Sequence, residues 1–331
     1  MNDVIQASGL TKAYPVGKGK PPVSAVGGID FAVRQGEVFG FLGPNGAGKT
    51  TTIRMLTGLT RPTAGGARVL SYDLRRDVTN IKKRIGVVPE ASNLYDELSA
   101  VDNLVFSMQL YGVPRRERLT RAVALLARFR LSEKRDTPFA KLSRGMKRAL
   151  TIAAALAHRP PLIFLDEPTT GLDVQSAIIL REQVRRLNRE GTTVLLTTHY
   201  LEEADQLCDI VAMINKGKIV ALDSPEQLKA SVIGSNIVDV SFSEPVDEDE
   251  LRKSCGLIEI HRLGDKLRLT AADEVDVVAE LADYARSRGL RITSISTLKP
   301  SLEDAFLRIT GLNPEEAVRD KEPARMRRQD G

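Results

Sequence analysis

The chain is short of three things: long apolar runs, cysteine and histidine. No stretch of its 331 residues approaches the ~18 consecutive apolar positions that a membrane-spanning helix needs. A helical membrane pore within this sequence is thereby excluded. Its two cysteines, Cys208 and Cys255, lie far apart, which fits reduced thiols in a cytoplasmic protein and no disulfide framework. The three histidines are scattered and add no metal-ligand spacing. The N-terminal "MNDVIQASGLTK" lacks the basic-then-apolar order of a secretory signal, so none is expected. What is present is ordinary globular composition, 42% hydrophobic and 27% charged, with a mild net charge of +5 that singles out no partner. The length suggests two domains.

Three short apolar runs each end in polar residues. "EVFGFLG" (37–43) leads into "PNGAGKTT", "LIFL" (162–165) into "DEP", and "TVLLTTH" (193–199) ends on His199. Helical patterns separate them, as a parallel α/β sheet requires. Ligands in such sheets bind beyond the carboxyl ends of the strands, so the three endings should meet at one edge.

The first ending is the most specific. Gly43-Pro44-Asn45-Gly46-Ala47-Gly48-Lys49-Thr50 matches the phosphate-binding pattern G-x-x-x-x-G-K-[ST], followed by Thr51. Glycines let backbone amides close on phosphate oxygens, and Lys49 supplies a point charge to the β- and γ-phosphates. Thr50 offers a hydroxyl to Mg²⁺, and a helix opens there with its positive end toward the anion. A glycine-rich turn matching by chance is the competing reading, and its place between a strand and a helix weighs against it. The second ending sets two acids, Asp166 and Glu167, after a run that reads as buried. Buried charge is costly unless paired or metal-bound. Asp166 stands where a P-loop nucleotide hydrolase places its Mg²⁺-organising acid. Glu167, one residue on, is free to turn toward a water attacking the γ-phosphate, as a general base would.

With these two motifs placed, the sequence resembles the nucleotide-binding subunits of ABC transporters over about two-thirds of its length, because further motifs follow in that family's order. "LSRGMKRAL" matches the family signature at Leu142, Ser143 and Gly145, and opens a helix whose N-terminus is a second anion-ready site. The resemblance implies a head-to-tail dimer with a second copy of the chain, two ATP molecules lying between the subunits. Arg144 and Met146 replace the family's glycine and glutamine; an arginine near a γ-phosphate would add attraction. Glu90 stands at the family's Q-loop glutamine, where a carboxylate would still bind Mg²⁺. The resemblance also places Tyr14 on adenine, Asp173 at the dimer interface and His199 on the γ-phosphate. An aromatic platform accepts any base, so Tyr14 does not separate ATP from GTP. Residues about 90–145 are expected to form a helical subdomain facing the membrane partner. Within it, "LTRAVALLARFRL" (119–131) is amphipathic, and Arg121, Arg128 and Arg130 read as a solvated face.

The fold expected is α/β, a P-loop ABC cassette over residues 1–230. Its parallel core would carry an antiparallel β subdomain and the helical one. Residues 231–311 read as a small α+β domain. Its strands are expected at 236–242, 257–264, 266–270 and 290–297, and its helices at 274–289 and 301–311. Ser301 and Asp304 have capping-box spacing, and Gly311 is a stop. "SLEDAFLRITG" resembles the C-terminal extension of daunorubicin-resistance-type exporters, which implies a role in dimerisation or regulation. The charged segment 312–331 reads as disordered.

Three functions compete. The leading one is an ATPase with ATP and Mg²⁺ as cofactors, powering a separate permease from the inner face of the membrane, without nucleic acid. The cargo would be a drug, lipid or polysaccharide. A soluble ABC ATPase acting on DNA or ribosomes is the second, although no coiled-coil insert or second cassette is present. A nucleotide sensor without turnover is the third, and the presence of Glu167 argues against it.

Overall fold

The computed structural model describes residues 2–15, 17, 21–231, 235–272, 276–298 and 301–311. The segment 312–331 lies outside them. The chain parts between Pro225 and Glu226 into two compact units.

In the first unit, β1 (Asp3–Tyr14) and β2 (Val23–Arg34) pair antiparallel, and β4 (Ala64–Val69) and β5 (Tyr72–Asp73) extend them into a sheet of order β2-β1-β4-β5. The second sheet holds β3 (Val38–Leu42), β6 (Ile85–Val88), β7 (Leu162–Asp166), β8 (Thr193–Thr198), β9 (Ile210–Asn215) and β10 (Lys218–Asp223). Its order is β10-β9-β3-β8-β7-β6, parallel except for β10. Strands β3, β7 and β8 are buried at every position, which is why they read as continuous apolar runs rather than alternating ones. One core cluster joins the two sheets. Phe31 of β2 meets Phe39 and Phe41 of β3 with ring centroids 5.5 and 5.1 Å apart. Each such buried ring contributes about 2–3 kcal/mol of transfer free energy, which anchors the strand that feeds the glycine loop.

The helices of this unit are α1 (Lys49–Leu56), α2 (Val78–Lys82), α3 (Ala100–Leu110), α4 (Arg115–Arg128), α5 (Arg144–Ala155), α6 (Val174–Arg189) and α7 (Leu201–Leu207); α8 (Pro225–Ala230) begins at the division. Helix α4 starts four residues before the amphipathic stretch 119–131 and buries Ala122 and Leu126. Its polar face is tied within the chain, since Arg121 pairs with Glu117 and Arg128 lies 2.8 Å from Glu190.

The second unit is an antiparallel sheet of order β12-β13-β11-β14, from β11 (Ser235–Phe242), β12 (Leu257–Leu263), β13 (Lys266–Ala272) and β14 (Ile292–Leu298). Gly264 and Asp265 make the two-residue turn between β12 and β13. Val238, Val240, Leu267 and Leu269 form its core with Leu251 of α9 (Glu248–Ser254) and Leu281 of α10 (Val277–Arg288). Helix α11 (Leu302–Thr310) carries the full Ser301/Asp304 capping box and ends at Gly311 in the left-handed region. Helix α9 escaped the sequence reading: "EDELRKS" is short and carries a single buried apolar residue, Leu251. Asp247 caps it by accepting the Asp249 and Glu250 amides.

Candidate active site

Because β3, β8 and β7 are parallel neighbours, their carboxyl ends deliver the glycine loop, His199 and the acid pair to one edge. The loop turns at Gly48, whose φ of 108° is closed to side-chain-bearing residues; a Cβ there would also come within 2.5 Å of the Ala25 carbonyl. Helix α1 begins at once, with no side-chain cap and no acid in its first turn, so its amides are left for an anion. Lys49 is buried, and its Nζ donates to the Gly43 carbonyl at 2.7 Å and the Pro44 carbonyl at 3.2 Å. The same Nζ lies 3.1 Å from Glu167 Oε1.

Asp166 closes β7. Its Oδ1 accepts the Thr50 hydroxyl at 3.0 Å and the Thr197 hydroxyl at 2.6 Å. Neighbouring strand residues point to opposite faces, yet Glu167 serves the same site as Asp166. Its backbone turns left-handed, with φ 48°, and its amide is held by the Thr197 carbonyl and hydroxyl at 3.2 and 3.0 Å. The turned carboxylate accepts from His199 Nδ1 at 2.7 Å and Thr170 Oγ1 at 3.1 Å. Burial alone would push this carboxyl up. The hydrogen bond from His199 and the charge of Lys49 outweigh it, and the group is held down at about 2.

Beside these residues opens a cleft of about 200 Å³. Of the residues singled out from the sequence, Pro44, Asn45, Gly46, Gly48, Lys49, Thr50, Thr51, Glu90, Glu167 and His199 line it. Gly43 and Asp166 support it through the contacts to Lys49 and Thr50, while Ala47 is buried in the loop behind. Ala25, Thr170 and Thr197 were not foreseen. The two threonines had a signal, being polar residues beside motif positions, but Thr197 sits in β8, where threonine is common, and Thr170 in a turn, where small polar residues are. As for Mg²⁺, the Thr50 hydroxyl and the Asp166 carboxylate, which already touch, are hard oxygen groups of the kind that ion takes, and Glu90 lines the same cleft.

Four further candidates lie outside the cleft. Tyr14 ends β1, partly exposed, with Lys12 Nζ 4.9 Å from its ring centre. Ser143 caps α5 by accepting the Met146 amide at 3.3 Å. Gly145 is fixed by proximity: a Cβ there would meet Ser176 Oγ at 2.5 Å. Asp173 caps α6 through the Ser176 amide and hydroxyl, at 2.8 and 2.7 Å. Arg144 lies against Gly171 of its own chain, where the absence of a side chain leaves room for the flat guanidinium.

Fold and site together define a P-loop ATP-binding cassette. The comparisons with known proteins agree. A family model described as ABC transporter matches residues 26–170, and one described as the C-terminal domain of DrrA1-3-like ATP-binding proteins matches residues 224–310. The linearmycin resistance ATP-binding protein LnrL of Bacillus subtilis is 36% identical over 93% of this chain and 98% of its own. The daunorubicin/doxorubicin resistance ATP-binding protein DrrA of Streptomyces peucetius is 39% identical over 93% of this chain and 92% of its own. Among solved structures, the dimeric post-hydrolysis state of the ATP-binding cassette MJ0796 bound to ADP and Pi superposes with a TM-score of 0.62 at 25% identity, over 66% of this chain and 98% of that one. The chain belongs to the ABC transporter family, as one of its ATP-binding, ATP-hydrolysing subunits with a DrrA-like C-terminal domain.

Proposed function

We propose that this subunit drives export of a drug, lipid or polysaccharide through a separate permease, on whose cytoplasmic face it sits. The observation that carries the reading is the contact of Lys49 and His199 with one carboxylate, Glu167, at the mouth of the glycine loop. Lys49 and the α1 amides bind the β- and γ-phosphates, and His199 donates to the γ-phosphate. Thr50, Asp166 and Glu90 would hold Mg²⁺, which would screen the phosphate charge. Glu167 takes the proton of the attacking water. Without nucleotide it is too acidic for that task, because the hydrogen bond from His199 and the charge of Lys49 hold it down. Phosphates that draw off the lysine charge leave a stronger base, so the base is freed by substrate. Tyr14 stacks on adenine.

Ser143, Gly145 and Asp173 lie outside the cleft of their own chain, and a second copy, head to tail, gives them an ATP to meet. Export follows from relatives named for resistance to linearmycin and to daunorubicin/doxorubicin, and from the Nod factor export ATP-binding protein I of Ralstonia nicotianae, 37% identical over 93% of this chain. No helix among the described residues is long and apolar enough to cross a membrane, and in this reading a separate permease supplies the path for cargo. The 231–311 region serves dimerisation or regulation in this reading, and nucleic acid has no part. Sedimentation of the Glu167→Gln protein tests the paired state: two chains together with Mg-ATP and one without are expected, and a single chain under both conditions would contradict it.

A further inference from the structure

Arg148 stands in the second turn of α5, five residues past Ser143, and is 8% exposed. Its hydrogen bonds go to the main chain and not to an acid side chain. The guanidinium donates to five backbone carbonyls, one from each of five residues in two segments. Nε reaches Pro168 at 2.9 Å, Nη2 reaches Asp166 at 2.7 Å and Glu167 at 3.0 Å, and Nη1 reaches Glu90 at 3.3 Å and, more closely, Pro89. A guanidinium has five N–H groups, so each one is spent on the main chain.

The carbonyls it collects are those of the Glu167 turn and of the segment that brings Glu90 to the cleft. Glu167 is left-handed, a conformation that costs an ordinary residue free energy and persists only where its surroundings enforce it. Arg148 holds the carbonyls before, at and after that residue. Burial pulls its charge toward deprotonation, and Asp166, Glu203, Glu90 and Glu167 offset that only in part.

We propose that Arg148 is a positioning residue for hydrolysis: its planar fork, braced on the Pro89 and Glu90 carbonyls, fixes the turn that aims Glu167 into the cleft. This rests on Glu167 being the base. Because Arg148 and the signature residues share one helix, the same fork joins the signature end of a chain to that chain's own base.

Arg148→Lys tests it, since lysine keeps the charge and loses the fork, with three donors radiating from one atom. A base misplaced by an ångström costs on the order of 10- to 100-fold in rate, so kcat should fall by that factor while ATP affinity stays within about threefold. The deciding arm is a double-mutant cycle with Glu167→Gln, followed by release of labelled phosphate. In the Glu167→Gln background, Arg148→Lys should lower the residual rate no further. Normal kcat in Arg148→Lys overturns the proposal. So does an equal loss in both backgrounds, or loss of ATP binding or of the folded state along with turnover, because Arg148 would then be holding the fold and not the base. Normal turnover in Glu167→Gln alone would instead remove the base assignment, and this role of Arg148 with it.

Discussion

At the scale of single residues, the site is a set of opposed charges kept apart from water. Lys49 and Glu167 are both buried, 3.1 Å apart, and the hydrogen bond from His199 together with the Lys49 charge holds the Glu167 carboxyl ionised against its burial. Lys49→Ala should therefore do two things. It removes the point charge that phosphates seek, so ATP affinity by calorimetry should fall by at least about tenfold, the usual scale for a lost charge-assisted contact of 1.5–3 kcal/mol. Unchanged affinity would count against the loop assignment. It also leaves Glu167 buried with His199 as its remaining strong partner, so its carboxyl should rise from about 2. The identities of these residues were legible in "GPNGAGKT" and "DEP", because phosphate and metal chemistry restrict which side chains will serve. The left-handed turn at Glu167 was not legible. Nothing in a glutamate's place in sequence reports the sign of its φ; the turn exists only in the folded backbone, where Arg148 holds the carbonyls of Asp166, Glu167 and Pro168.

At the scale of elements, buried parallel strands announced themselves and the half-exposed ones did not. β3, β7 and β8 are unbroken apolar runs with sharp polar ends, and each was readable within a residue or two. β1 and β2 are longer, but their pairing shifts register at several points, and glycines interrupt the alternation. Only the family resemblance suggested an antiparallel subdomain there. A contact between elements also yields a pH dependence. His158, just past α5, stacks on Tyr111 at the end of α3, with ring centroids 3.6 Å apart, and donates from Nε2 to the Ile85 carbonyl at 3.1 Å. Burial pulls this imidazole down to about 4, from an ordinary 6.5. Between those values the unfolded chain binds a proton that the folded chain refuses, so its contribution to stability is full above about 6.5 and is lost as the pH falls toward 4. His158→Gln, which keeps a donor for Ile85, should flatten the fall of the urea midpoint over that window. An unchanged slope would show that His158 does not titrate as described.

At the scale of the whole molecule, every residue singled out for ATP chemistry lies in the unit before Pro225, and the second unit has its own core around Val238, Leu269 and Leu281. A fragment ending at Pro225 should bind ATP with an affinity within about threefold of the full chain, since units with separate cores fold separately. A larger loss would show that the second unit shapes the nucleotide site. This division was partly visible in the sequence, where catalytic motifs give way to short strands and a capped helix. What the second unit binds was not visible, because no residue cluster in it has the spacing of a known chemistry. The central claim is that distant segments converge on one ATP and that Glu167 draws the proton from its attacking water. The most direct test is the turnover and ATP affinity of Glu167→Gln, measured together. ATP binding retained with hydrolysis slowed by at least ~10²-fold is the predicted result; hydrolysis near the rate of the unaltered protein would contradict it.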